Sequence, residues 1–313
     1  MVIYSHSFEL MNTNMMNYLK YFLNIDLGYV AVNVFFFLSG MLIYNSALNS
    51  KNLINYFWKR SLRIYPALFI CIFLTILIFW IDSSSSFLEY LKININYLSN
   101  LIFIGKYTIS EIFDNNYYAF VANGSLWTLR YEIIMYIITG IFTISFFRDK
   151  KSILYIIFMI FFLLFIFTLN DDKSAITNIS RLGSYFFIGA LLSNYSVLKM
   201  NKYILFSILF ISSILYFILA GLKSIFIFII IIGLIKYSLD YIKEKEKNKI
   251  KINFDISYGL YIYAFPIQQF LIKYISFDNV YIYFVSSLII TTIIAFLSWT
   301  VIESKSLKLK NAF

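Results

Sequence analysis

Charge is what this sequence has least of. Only 13% of its 313 residues are Asp, Glu, Lys or Arg, about half the share of an ordinary soluble domain. That shortage excludes a globular domain wrapped in a solvated polar shell. With 61% hydrophobic residues and a mean hydropathy of +0.78, it places the chain in a membrane. The one cysteine, Cys71, excludes an intramolecular disulfide and a multi-cysteine metal cluster; its apolar surroundings suit packing. There is also a single histidine, His6, so any chemistry that needs an imidazole must use that residue. No GxSxG elbow, Walker loop, HExxH or GxGxxG is found, and no metal site is expected. Too little chain precedes His6 for a secretory leader.

What is present is a succession of apolar stretches near the length that crosses about 30 Å of hydrocarbon. They cover residues 1–11, 27–47, 64–81, 126–147, 152–169, 181–197, 203–220, 222–240, 257–276 and 280–301. The expected fold is all-α: a polytopic transmembrane bundle of about ten spans, one domain over 1–313, its first span cut short at the N-terminus. The net charge of +10 follows the same topology. "KRSLR", "FFRDKK", "LKMNK", "KEKEKNKIK" and "SKSLKLK", with Lys51 and Lys236, hold 18 of the 26 Lys and Arg. If alternate loops are cytoplasmic, this is the positive-inside pattern, with the C-terminus in the cytoplasm and Asp171 and Asp172 outside. A minor attraction to anionic lipid is expected as well. The longest outside segment, 82–125, carries "FLEYLKININYLSNLIFI", read as an interfacial or re-entrant helix.

In such a chain the informative residues are polar ones inside apolar spans, where they are costly and face a bundle interior or a wet cavity. His6 suits general-base work; the structural alternative is a hydrogen bond to a neighbouring helix. In "NGSLWTLRYEIIMYII", Glu132 shares a helical face with Thr128 and Tyr136. It can orient a base, receive a proton or pair with Arg130, unless both ions simply snorkel to water. "KRSLR" sets Arg60 and Arg63 on one face, suited to phosphate oxygens or to plain interfacial anchoring. Asn33, Ser39 and Gly40 favour close helix packing. Pro266 frees backbone carbonyls in its helix, and Gln268 and Gln269 after it either line a cavity or join helices.

Taken in order, "YSHS", "GYVAVNVFFFLSGMLI", "KRSLRIYP", "NGSLWTLRYEIIMY", "ISYGLYIYAFPIQQ" and "SWTVIES" resemble the acyltransferase 3 family of integral-membrane acyltransferases. The resemblance covers nearly the full chain and is nearest to the O-acetyltransferases of bacterial surface polysaccharides. It implies about ten transmembrane helices, acetyl-CoA as cytoplasmic acyl donor, and a sugar hydroxyl on an envelope glycan or its lipid-linked precursor as acceptor. It assigns His6 and Glu132 to catalysis, with Glu132 orienting or charge-balancing the imidazole. It gives coenzyme A to Arg60 and Arg63, and sets Trp127, Ser39 and Tyr258 at the substrate. Two departures stand out. Ala264 occupies a position where many members carry a histidine, and the arginine usual about ten residues before the first-helix histidine falls ahead of Met1. Two other readings fit the same features: a flippase for lipid-linked glycans, and an inactive, shortened member of the family.

Overall fold

The computed structural model describes residues 1–12, 20, 25–146, 151–169, 174–193, 202–219, 222–245 and 254–311. Most of "FFRDKK", "LKMNK" and "KEKEKNKIK", and all of Asp171 and Asp172, lie outside the described residues. In hydrocarbon no water takes up backbone N–H and C=O groups, so a segment must close its hydrogen bonds on itself. Accordingly, the regular structure among the described residues is helical, apart from one isolated antiparallel bridge between Thr108 and Val121.

The helices are α1 (Val2–Leu10), α2 (Leu27–Leu48), α3 (Leu53–Phe79), α4 (Phe87–Asn94), α5 (Leu129–Gly140), α6 (Lys151–Phe167), α7 (Ala175–Ser193), α8 (Lys202–Ile218), α9 (Lys223–Lys245), α10 (Ser257–Tyr274), α11 (Val280–Ser298) and the short α12 (Ser304–Lys308). Each of the ten apolar segments falls on a helix. Four helical stretches, Leu27–Leu48, Leu53–Asp82, Ala175–Ser193 and Val280–Lys308, are by themselves long and apolar enough to cross a membrane. The chain is an all-α membrane protein.

Two helices begin earlier than hydropathy suggests. Asn52 caps α3 by accepting the Asn55 N–H at 2.8 Å, so Lys59, Arg60 and Arg63 lie inside the helix with their stems along its side. α7 starts at Ala175 and encloses Arg181, where a hydropathy window stops at the cation. The 82–125 segment is not one continuous helix. It holds α4, closed by a Ser86–Glu89 capping box, then a 3₁₀ stretch, Ile95–Ile102, ended by Phe103 at φ 62°.

The chain divides into two compact units, Met1–Ala31 with Lys51–Ile134 and Asn253–Phe313, and Val32–Ser50 with Met135–Ile252. In the second, α2 and α7 approach through reciprocal glycines: a Cβ on Gly40 would strike the Phe186 carbonyl, and one on Gly189 the Phe37 carbonyl. Small residues permit this backbone contact.

The first unit is organised by α10. Pro266 has no N–H, so the Ile262 carbonyl one turn earlier loses its helical partner. The Asn123 side chain donates to that oxygen at 2.8 Å, and the Cys71 thiol does so at 3.3 Å. Gln268 donates to the Ile3 carbonyl and Ser7 Oγ of α1 at 3.0 and 2.9 Å. Gln269 donates to the Tyr118 and Val121 carbonyls, both at 2.8 Å. The two glutamines therefore join elements. Leu10, Phe265, Leu271 and Tyr283 form the apolar core among α1, α10 and α11.

Asn123→Ala leaves the buried Ile262 carbonyl short of a strong donor, a loss of about 1–3 kcal/mol. The expected result is a lower thermal midpoint for the detergent-solubilised protein. An unchanged midpoint would show that the Cys71 thiol suffices.

Candidate active site

The site builds from α1. In "SHSFE", Ser5 and Glu9 are one turn apart, and Glu9 follows His6 by three residues, so all three cluster on the helix. The His6 ring sits edge-on to Phe265 with centroids 5.2 Å apart, and its Nδ1 is shielded from solvent, with no hydrogen-bond partner among the described residues. Ser5 Oγ donates to Asp26 Oδ1 at 2.7 Å, and the Gly28 N–H donates to the same oxygen at 2.6 Å. Asp26 is the carboxylate whose charge bears on His6 and on Glu9. Neither acid was read from the sequence. Glu9 was legible in its spacing from His6; Asp26 arrives from a stretch with no periodic relation to it.

The second component is the turn at "NGSLW". Asn123 Oδ1 accepts the Ser125 N–H at 3.1 Å and starts a 3₁₀ turn, Gly124–Thr128, that leads into α5. Gly124 lies flat against Phe265; a Cβ there would come within 2.8 Å of Phe265 Cε2. Phe265 thus has His6 at its edge and the NGSLW backbone against its ring. Three separate stretches, "YSHS", "NGSLW" and "YAFP", meet at this one aromatic.

Glu132, in the first turn of α5, is buried. The Tyr261 hydroxyl of α10 is shared with Thr128 Oγ1 at 2.5 Å and donates to the Ser125 carbonyl at 2.7 Å. Glu132's charge bears on this tyrosine. Trp127 meets Tyr131 edge-on at 5.8 Å. The Arg130 guanidinium lies 4.8 Å over the Tyr131 ring and bonds its hydroxyl.

Arg63 and Tyr258 are brought together elsewhere in the same unit, with the guanidinium 5.9 Å above the ring. Arg63 pairs with Asp255 at 2.7 Å and with Glu303 at 3.5 Å. Glu303 is 1% exposed and also accepts from Ser298 Oγ at 3.0 Å. One turn earlier on α3, Lys59 lies within electrostatic reach of Arg60, Lys310 and Lys51. The Trp58 indole helps gather these charges by donating to the Leu309 carbonyl at 3.0 Å.

Ser39 is buried within α2 in the second unit. That unit holds a polar group that hydropathy hides. Arg181, 7% exposed, donates to Asn33 Oδ1 at 2.5 Å and to Asn178 Oδ1 at 3.0 Å. Amide oxygens inside a span are what let a guanidinium stay there.

A family model described as an acyltransferase domain matches residues 1–300. The chain is similar to an O-acetyl transferase of Shigella phage Sf6, with 30% identity over 292 residues, covering 90% of this chain and 85% of the relative. No solved structure matches.

Arg63→Leu leaves the Glu303 carboxylate buried without its cation, which costs about 3 kcal/mol. Arg63→Leu combined with Glu303→Gln is expected to recover most of that stability. Thermal melts of both variants check this; equal losses in the single and double variants would rule out a compensating pair.

Proposed function

Because this chain belongs to the acyltransferase 3 family, we propose that it is an O-acetyltransferase. It moves acetyl from acetyl-CoA to a hydroxyl of a cell-envelope or surface polysaccharide, or of a lipid-linked precursor. The observation that carries the reading is the meeting of His6 with the NGSLW turn around Phe265. It sets the chain's one imidazole, with a ring nitrogen unpartnered, in the wall formed by the motifs that the resemblance ties to catalysis.

The chemistry follows from those groups. The acceptor oxygen attacks the thioester carbonyl carbon while His6 takes the hydroxyl proton. The C–S bond then breaks, and the proton passes to the departing sulfur, releasing coenzyme A as a free thiol. A route in which His6 is itself transiently acylated uses the same placement. Asp26, whose charge bears on His6, stabilises the imidazolium. Glu132 balances charge along the Thr128–Tyr261 part of the wall.

The donor's phosphates fit the cations at the start of α3. Arg60 lies with Lys51, Lys59 and Lys310, a gathering of like charges that favours a polyanion. Arg63, held by Asp255 and Glu303, orients Tyr258 under the donor. Trp127 completes the proposed substrate lining within this unit. The positive-inside pattern supports a cytoplasmic position for this end and for the C-terminus in a bacterial cell.

Two variants test the reading with radiolabelled acetyl-CoA. His6→Ala is expected to lower label transfer by at least about 100-fold, the usual worth of a general base. Arg60→Ala is expected to raise the acetyl-CoA KM about tenfold, as loss of one charge-assisted contact does, with kcat little changed. Full O-acetylation of the glycan by His6→Ala would overturn the catalytic assignment.

A further inference from the structure

Four residues of α10 share one face at helical spacing, and each holds a different element of the first unit. Tyr258 faces the Arg63 guanidinium. Tyr261, three residues on, gives its hydroxyl proton to the Ser125 carbonyl at 2.7 Å. Phe265, a further turn along, packs on Gly124 and on the His6 ring. Gln268 then donates to the Ile3 carbonyl and Ser7 Oγ of α1. Gly124 and Ser125 are therefore held on the face that carries α1, and Ser125 is anchored one turn nearer to Tyr258 than His6 is. At helical rise the two anchoring levels, Tyr261 and Phe265, are about 6 Å apart.

The polar groups around Ser125 are committed. Asn123 divides its amide between the Ser125 N–H at 3.1 Å and the Ile262 carbonyl at 2.8 Å. Because the Tyr261 proton goes to the Ser125 carbonyl, Thr128 Oγ1 donates to Tyr261. The N–H and C=O of Ser125 are thus both satisfied. Its hydroxyl has no hydrogen-bond partner among the described residues, although the residue is 2% exposed. Other buried serines of this chain spend the hydroxyl on the carbonyl four residues back, Ser7 on Ile3 at 2.8 Å and Ser184 on Ser180 at 2.7 Å. Ser125 stands at the start of a 3₁₀ turn, after an extended Asn123, so no helical carbonyl lies behind it. A buried hydroxyl without an acceptor is costly, and such a cost is kept where a site needs the group.

Acyl transfer needs what this hydroxyl offers. When the acceptor oxygen attacks, the thioester carbonyl carbon becomes tetrahedral and its oxygen takes up negative charge. A donor already in place for that oxygen needs no reorganisation in a site shut off from water. His6 is occupied with the acceptor proton. Ser125, one turn towards Tyr258, is free to serve, and the spacing of the two levels admits an acyl carbonyl between base and donor.

We propose that Ser125 is a further catalytic residue, its Oγ–H hydrogen-bonding the thioester carbonyl oxygen as that oxygen becomes an oxyanion. The hydroxyl keeps its proton throughout. When the C–S bond breaks, the charge returns to the carbonyl of the new ester and the proton held by His6 goes to the sulfur. Ser125 is left as it began. This deepens the acyltransferase reading and rests on it.

The test uses the full chain in lipid nanodiscs, radiolabelled acetyl-CoA, and surface polysaccharide from the source organism stripped of its esters by mild base. Turnover is read as coenzyme A release and as label transfer. Ser125→Ala is expected to lower kcat about 100-fold, the usual worth of one oxyanion donor, with both KM values within about threefold of wild type. The hydroxyl makes no hydrogen bond in the resting protein, so the thermal midpoint is expected to stay or rise. Ser125→Cys, of similar size but a weaker donor, is expected to have a kcat between those of alanine and wild type. A Ser125→Ala kcat within about threefold of wild type overturns the proposal. So does a loss of kcat accompanied by a fall in thermal midpoint, which makes Ser125 a packing residue of its turn. Acetyl label found on Ser125 itself, by mass spectrometry of wild-type protein quenched during turnover, also overturns it, because the residue is then a nucleophile. If wild-type protein neither releases coenzyme A nor labels polysaccharide, the acyltransferase reading itself fails, and the role of Ser125 falls with it.

Discussion

A single carbonyl sets the arrangement of the first unit. Pro266 deprives the Ile262 oxygen of its helical donor inside a low-dielectric core, where an unsatisfied carbonyl is costly. The nearest remedy is a side chain from another element, and Asn123 supplies it while its own carbonyl oxygen caps the NGSLW turn. One amide therefore fixes that turn against α10, and Cys71 ties α3 to the same oxygen. With the turn fixed, Gly124 can lie on Phe265, and Phe265 in turn fills the space beside His6. Water at the Ile262 carbonyl would satisfy the oxygen equally well, but it would couple none of these elements. The proline matters here less for bending a helix than for creating a demand that a distant side chain must meet.

The few buried charges obey the same logic of enforced partnership. Glu303 is almost fully enclosed, and it is held by Ser298 and Arg63, which reaches Asp255 as well. Arg181 sits well inside α7 against two amide oxygens. Asp26, half-buried, likewise accepts a backbone N–H and a serine hydroxyl. A sequence with this little charge cannot spread its ions over a surface. Glu303, Arg181 and Asp26 are each bound into a cluster of polar partners.

The helices themselves were legible because lipid imposes a length and a composition on any segment that crosses it. All ten apolar segments are helical, and His6, Arg60, Arg63 and Glu132 were visible as polar residues in apolar surroundings. Hydropathy failed where a cation lies inside a helix, so α3 and α7 were read short, with Arg181 taken as the first residue of its span. Glu9 was legible only in its spacing, three residues after His6. Asp26 and the convergence on Phe265 were not legible at all. They depend on long-range contacts made by Gln268, Gln269 and Asn123, whose partners no local pattern specifies.

α10 gives these separate clusters a common order. Tyr258 meets Arg63, the Ile262 carbonyl meets Asn123, Phe265 meets His6, Gln269 meets the carbonyl of Tyr118 and Lys273 meets Asp114. These positions recur every three or four residues, the spacing of one face of a helix. At helical rise, about 10 Å separates the Arg63 level from the His6 level, and about 12 Å more leads on to Lys273. The Arg63 contact, the imidazole and the 114–121 segment are thus graduated along one stripe of one helix.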